Sequence, residues 1–544
     1  MLRIAFGILV LGLVAGCGDR AEPAPTSLVL ITLDTTRADR LGCYGRIRAM
    51  TPHLDELAAR GVRFARAYTA APITLPAHAS ILTGTWPNTH GLRDNGQSGL
   101  SDRATTLATH LGRQGYETAA FIAAYPLRSE FSLDRGFAHY DDDLPKRATS
   151  TGEAYSERSA TDVLALAADW WEERTPGKPA FAWIHLFDPH SPYAPPEPFA
   201  TSFRNDAYQG EIAYLDHALG QFLDRVKADD VLVSVVADHG EGLGEHGEET
   251  HAFLLHEATV HVPWLIAGPG VPEGQTVDEL VRTVDVAPTL VDLLGLRPLP
   301  GAEGESARPL WEHPNAPPRT ARLETWFPRL RRGWSEMHGL VHGTDKIVWA
   351  SSSDQAPEIF DLSSDPEELR AMAEPPDSIA ARLLERLKSE TTGTAIPASS
   401  ALDPEVARQL ERLGYTGGAR AASSGPLPHP RDRMPILQGL ADVQRLIAQR
   451  KFTVAGTVLD RLERVAPDEL GIDLNRGRLE LARAQQDPSA LTRAAAAFTR
   501  VIQRNPQHAQ AWWALADVEA ARGHEEAAQA ARDAARALGH ASEH

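Results

Sequence analysis

The chain has 544 residues, enough for two or three domains, and its 42% of hydrophobic residues is that of a globular protein. Asp and Glu (73) outnumber Lys and Arg (54), giving a net charge of −19, which excludes general nucleic-acid binding because that needs a basic surface. A small anionic substrate is not excluded, since a metal ion and a few local cations can dominate one pocket.

Arg3 supplies a short positive region, Ile4 to Leu13 is apolar, and Leu13-Val14-Ala15-Gly16 places small residues before Cys17. The apolar run is too short to span a bilayer. The segment resembles a bacterial lipoprotein signal, which implies cleavage before Cys17 and lipid attachment to its sulfur. Residues 1–17 are then a signal and 18–26 a tether rich in Pro and Ala. The resemblance implies a lipid-anchored, periplasm-facing protein of the cell envelope, and the lack of Asp directly after the cysteine leans toward the outer membrane. Only Cys43 remains in the body of the protein, so no intramolecular disulfide is expected.

Ser27 to Asp34, SLVLITLD, is a nearly continuous apolar run ending in a carboxylate, the profile of a buried parallel strand. Helices are expected at Thr51–Arg60 and Thr105–Gly115, and AAFIAAY, from Ala119, reads as a strand. Helical patterns follow at Ser156–Glu173 and Asp206–Lys227. Between and after them, FAWIHLFDPH delivers Asp188 and His190, and VLVSVVADH delivers Asp238 and His239, each at the end of an apolar run. Ligands in open α/β sheets gather beyond the carboxyl ends of strands, so the Asp and His residues ending these runs, Asp34, Asp188, His190, Asp238 and His239, are with Thr74 candidates for a shared hard-cation site.

Pro72 to Gly84, PITLPAHASILTG, reads as a helix start, with Pro76 just inside it and Gly84 closing it. A hydroxyl at Thr74 would face unpaired N–H groups and the positive end of the helix dipole, but threonine needs a base or a metal to become a nucleophile. Val277–Leu294 carries a further helix. From about Arg319, HGLVHGTDKIVWAS followed by EIFDL suggests a small antiparallel hairpin, and SDPEELRAMAE, from Ser364, a short helix. Residues 389–433 are a linker by composition, with one short helix around Pro404–Leu413. Beyond it, VLDRLERVAPDE and AFTRVIQRNPQH place Pro467 and Pro506 in register 39 residues apart, as in a tetratricopeptide unit with a small insertion. Residues 434–540 are thus expected to be helical repeats that pack or bind a protein partner. His53, His110, His139, His246, His256 and His261 have no positional claim to function.

LVLITLDTTRADRLGCYG, TLPAHASILTG, FDPHSPYAPP and VVADHGEGLGEHG, in that order, resemble the sulfatase branch of the alkaline phosphatase superfamily over 27–388, with a C-terminal subdomain at about 319–388. The resemblance implies an α/β fold, a mainly parallel sheet flanked by helices with a small α+β subdomain, here followed by the all-α repeats. It implies that Asp34, Asp238 and His239 are metal ligands and Thr74 the nucleophile. His78 stands where relatives have a supporting arginine, and His190 and His251 stand at substrate-binding positions. Sulfatases convert a cysteine or serine at the place of Thr74 to formylglycine, which threonine cannot form, so no formylglycine is expected. Thr35 replaces the second aspartate of the usual pair, Ala123-Ala124-Tyr125 replaces a Lys-x-His, and His239 replaces asparagine. One divalent ion is expected, Mn²⁺ or Zn²⁺ ahead of Ca²⁺, with Asp188, His190 and His251 able to hold a second.

The expected activity is metal-dependent hydrolysis of a small sulfate, phosphate or phosphonate ester through a covalent Thr74 ester, with His78, His190 and His251 stabilising the oxygens that gain charge. Two alternatives stand beside it: transfer of the phosphoryl group to an envelope acceptor, and a catalytically silent protein whose repeats recruit a partner.

Overall fold

The computed structural model describes residues 26–97, 99–148, 154–227, 230–313, 317–372, 377–391 and 425–538. Cys17, the signal, nearly all of the tether and the helix expected around Pro404–Leu413 lie outside these residues. No helix among the described residues is long and apolar enough to cross a membrane.

The run SLVLITLD forms the strand Leu28–Leu33, every residue of it buried, at the centre of a nine-stranded sheet. Its apolar residues face layers on both sides, as parallel strands covered by helices require. Ala180–Leu186 and Leu232–Ala237 flank it in parallel, with Leu33 level with both Leu186 and Ala237. Glu117–Phe121 and His139–Asp141 continue one edge, both parallel. On the other edge His261–Ala267 runs antiparallel to Leu232–Ala237, and Gly61–Tyr68 antiparallel to that. Two reversals restore the direction, so Gly61–Tyr68 ends at the same edge of the sheet as the central strands.

The helix Ala207–Val226 lies where the sequence puts it, with Asp206 accepting from the Gln209 N–H at its start. The helix expected from Ser156 begins only at Ala160, because Ser159 is the residue that caps it, and 154–156 is a short strand. After the helix Val286–Leu293, four antiparallel strands (Thr320–Thr325, Met337–His342, Asp345–Ala350 and Glu358–Asp361) form a second sheet, one strand pair more than the expected hairpin. The described part of SDPEELRAMAE is not a helix. Glu368 has a φ of 53°, and its carboxylate is drawn inward to the buried Lys346 ammonium at 2.7 Å, which breaks the helical path. The helix comes later, at Asp377–Thr391.

Six helices follow, from Pro430–Ala448 to Glu525–Ala537, an all-α region. Its first helix starts inside the expected linker and carries Pro435 within it. This helix is part of the packing of the nine-stranded sheet's unit: Met434 is 1% exposed and belongs to the main hydrophobic core, and the Gln438 amide donates to the Gly247 carbonyl at 3.1 Å. The Leu427 N–H donates to Ser352 and the Ser335 N–H to Pro428, pinning the approach to it. Met434→Ala is therefore expected to destabilise the whole protein by about 2–5 kcal/mol, read as a lowered denaturant midpoint.

Candidate active site

Three level strand ends define the site. Asp34 follows Leu33 and donates its N–H to the Leu186 carbonyl at 2.9 Å, while the Asp238 N–H reaches the Leu33 carbonyl at 3.2 Å. Extending parallel strands by one residue thus sets the Asp34 and Asp238 carboxylates side by side, both 0% exposed. Thr35, next to Asp34, takes a φ of 47°, unusual for a β-branched residue. The turn is held by the Thr35 N–H donating to Asp238 Oδ1 (3.2 Å) and by the Tyr208 hydroxyl donating to the Thr35 carbonyl (2.6 Å).

Gly61–Tyr68 leads to the same edge and into the helix Thr74–Thr83, all ten residues of which are buried. The helix begins at Thr74 itself, two residues ahead of Pro76. Ile73 has no side-chain acceptor to cap it, and Asn95 Oδ1 instead accepts the Leu75 N–H at 2.8 Å. The Thr74 hydroxyl faces Asp34, whose charged form it stabilises, but makes no hydrogen bond of full geometry.

The donor set fits a divalent cation. Ligand atoms of Asp34, Asp238 and His239 lie within 4.8 Å of one another. Asp34 Oδ1, Asp238 Oδ2 and His239 Nε2 are all buried without a hydrogen-bond partner, a costly arrangement unless a cation completes it. His239 Nδ1–H donates to the Gly240 carbonyl at 3.0 Å, which leaves the Nε2 lone pair as the ligand. Burial pushes Asp34 up to about 6, against the opposing pull of His190 and His251, and burial with the neighbouring Asp34 charge pushes Asp238 well above the carboxylate range. Two facing carboxylates that resist charging together are what a bound cation would relieve.

His78 lies against the Thr74 turn, with Nδ1 also 3.5 Å from Asp238 Oδ2. Its Nδ1 lies 2.8 Å from the Thr74 carbonyl, which can only accept, so Nδ1 carries the proton. Burial holds the ring neutral, and Nε2 accepts from the Thr32 hydroxyl at 3.0 Å, which in turn accepts from Trp183 Nε1–H at 3.0 Å. Both ring nitrogens are spent inside the protein, so His78 positions the Thr74 turn and has no N–H left for a substrate oxygen.

His190 and His251 do border the site, their ring centroids 5.3 Å apart, with His251 also 4.5 Å from His239. His190 Nδ1–H is held by the Ser191 carbonyl at 2.7 Å, and Nε2 is buried without a partner. Burial, partly opposed by Asp34, brings His190 down to about 4, and burial does the same to His251.

Sequence reasoning missed three residues. His185 Nε2 lies 3.2 Å from Asp34 Oδ2, on the strand face shared with Thr32, its register partner. Glu241, fully buried, accepts from the Tyr193 hydroxyl at 3.0 Å and lies 3.2 Å from His251 Nδ1. Asn95 is the third. For His185 a signal exists, a polar residue inside an otherwise apolar strand.

A mainly parallel sheet bearing a buried hydroxyl beside a hard-ligand cluster at its carboxyl edge defines an α/β ester hydrolase. The family model described as Sulfatase matches residues 26–296, and that for the C-terminal region of N-sulphoglucosamine sulphohydrolase matches 244–393. The chain belongs to the sulfatase family. It is 26% identical to an arylsulfatase of Clostridium perfringens, over 63% of this chain and 89% of that one. With a choline-sulfatase of Rhizobium meliloti it shares 25% identity, over 60% and 78% of the two chains. Among solved structures it resembles a phosphonate monoester hydrolase of Agrobacterium radiobacter (TM-score 0.58, 22% identity, 68% and 96% covered). A 2-O GAG sulfatase gives a TM-score of 0.56 at 19% identity, with 74% and 99% covered.

Proposed function

We propose that the chain hydrolyses sulfate, phosphate or phosphonate esters with Thr74 as the nucleophile and one divalent ion, Mn²⁺ or Zn²⁺ ahead of Ca²⁺, at Asp34, Asp238 and His239. The observation that carries this is the buried Thr74 hydroxyl, at a helix start, facing a carboxylate of the ligand set. When bound, the cation supplies positive charge that lowers the pKa of the Thr74 hydroxyl. With its pKa so lowered, the Thr74 hydroxyl gives its proton to water, Oγ1 attacks sulfur or phosphorus as the alcohol leaves with a proton, and a second water then cleaves the Thr74 ester, one of its protons restoring the Thr74 hydroxyl and its oxygen leaving with the released anion. The positive end of the helix dipole faces the ester's anionic head, although the Leu75 and Ala77 N–H groups are already taken by Asn95 Oδ1 and the Ile73 carbonyl. An arriving anion favours protonation of His190 at Nε2, which then donates to that head and holds the proton the leaving alkoxide needs. His78, His185 and Asn95 hold these groups in place. The protein is lipid-anchored through Cys17 on the periplasmic side of the envelope, with the helical region open to a protein partner.

The test is turnover of aryl sulfate, aryl phosphate, diaryl phosphate and aryl phosphonate esters by metal-free protein given Mn²⁺, Zn²⁺, Ca²⁺ or Mg²⁺ in turn. Metal-dependent cleavage of at least one ester class is expected, with phosphorus esters favoured by the threonine. No turnover with any metal and any ester would overturn the reading.

A further inference from the structure

Between the strands Thr320–Thr325 and Met337–His342, the stretch WFPRLRRGW, from Trp326, sets three arginines among buried aromatic side chains. Phe327 and Trp334 are 2% and 1% exposed and belong to the main hydrophobic core. Pro328–Arg332 between them forms one π-helical turn, closed by Gly333 at a φ of 69°. Turns of this kind are rare and recur at functional sites.

The turn is fixed to both loops that border the candidate site. On one side the Arg331 guanidinium pairs with Asp94, the neighbour of Asn95, whose Oδ1 accepts the Leu75 N–H on the first turn of the Thr74 helix. On the other, the Thr325 hydroxyl donates to the Ala252 carbonyl at 2.5 Å, and the Phe327 ring stands edge-on to Phe253 with centroids 4.9 Å apart. Ala252 and Phe253 directly follow His251. Asp94 neutralises Arg331, but Arg332 has no such counterpart. Its Nε is buried without an acceptor, and among the described residues the only charge acting on its guanidinium is Glu469. Burial pulls Arg332 below the ordinary arginine value, a pull that Glu469 only partly opposes. A half-buried cation held in a fixed turn is costly unless an anion completes it.

Building on the hydrolase reading, on which this rests, we infer that Arg332 receives a second anionic group of the substrate. The esters this protein cleaves then carry at least one further sulfate, carboxylate or phosphate group. The Thr74 helix start and His190 serve the head of the ester that reacts, which leaves Arg332 for the remainder of the molecule. A planar guanidinium matches the paired oxygens of such a group. Arg331 ties the turn to the loop that holds the Thr74 helix, and Phe327 ties it to the loop leaving His251. The cation is thereby held at a set place relative to the reacting group, as recognition of a second charge on one molecule requires.

The test is calorimetric binding to the full chain bearing Thr74→Ala and supplied with Mn²⁺, with disaccharides carrying one, two or three sulfate groups as probes. It is repeated with Arg332→Gln added. Further sulfates are expected to tighten binding about tenfold in the first protein and about twofold or less in the second. Arg332→Lys, which keeps the charge and loses the planar fork, should restore part of the gain. The melting temperature should not fall in Arg332→Gln, since the side chain gives up no partner. A fall in melting temperature with an unchanged sulfate dependence would make Arg332 a structural tie to Glu469 and overturn the inference. Equal gains in both proteins, no gain in the first, or no binding of any disaccharide would overturn it too. Binding is read without turnover, so failure here is distinguished from failure of the hydrolase reading, which the aryl-ester panel decides.

Discussion

Thr74→Ala is expected to lower turnover of the best ester by at least about a thousandfold while leaving the melting temperature nearly unchanged. The two halves rest on different observations. The loss follows from removing the hydroxyl that forms the covalent ester in the proposed reaction. The preserved fold follows because the Thr74 hydroxyl makes no full hydrogen bond, whereas its backbone carbonyl, which His78 uses, survives the substitution. Thr74→Ser is expected to retain measurable turnover, since the oxygen stays on the first turn. Trapping and mass measurement of a modified Thr74 peptide would check the covalent step directly. Full activity in Thr74→Ala would remove threonine from the chemistry.

Asp238→Asn is expected to cost at least about a hundredfold in metal affinity and to remove turnover with it. The asparagine can keep the N–H bonds that Thr35 (3.2 Å) and His239 (2.7 Å) donate to Oδ1, so the turn survives and only the Oδ2 position changes. Without metal, the variant should be at least as stable as the parent, because one of two facing carboxylates is gone. The pH dependence has a definite sign. Asp34 rises on folding from 3.8 to about 6, so the metal-free parent binds more protons folded than unfolded. Its contribution to stability is full below pH 3.8 and is lost as pH rises through about 6. Chemical denaturation of metal-free protein across that window should show the decline in the parent and a shallower one in Asp238→Asn. A parent whose stability rises through the window would contradict the facing-carboxylate geometry.

The strand ends were legible because each is a β-branched apolar run stopped by an ionisable residue, a pattern that burial on both faces imposes. Their meeting was not, since the sequence does not tell which strand lies beside which, and Asp34 reaches Asp238 across 204 positions. Thr74 could be placed on a helix start from Pro76, but the first-turn acceptor could not, because Asn95 comes from the loop after the next helix. Glu241 reads as one more acid in a loop of glycines and glutamates, and only Tyr193 and His251 around it reveal that it is buried. His78 was visible as a residue but its contacts were not, because both its partners, Thr32 and the Thr74 carbonyl, become apparent only when the strand and helix are packed. The extent of the linker failed for a similar reason. Helical pattern shows that Pro430–Ala448 is a helix, and nothing in it shows that Met434 completes a core formed largely by residues before 335.

That seating has a mechanical reading. The helix Pro430–Ala448 touches the chain at Gly247, eight positions past His239, and each later helix is stacked outward from it. The all-α region thus has its inner end seated on the loop that leaves Asp238 and His239. A load on the outer helices would reach that loop first through the Gln438–Gly247 contact.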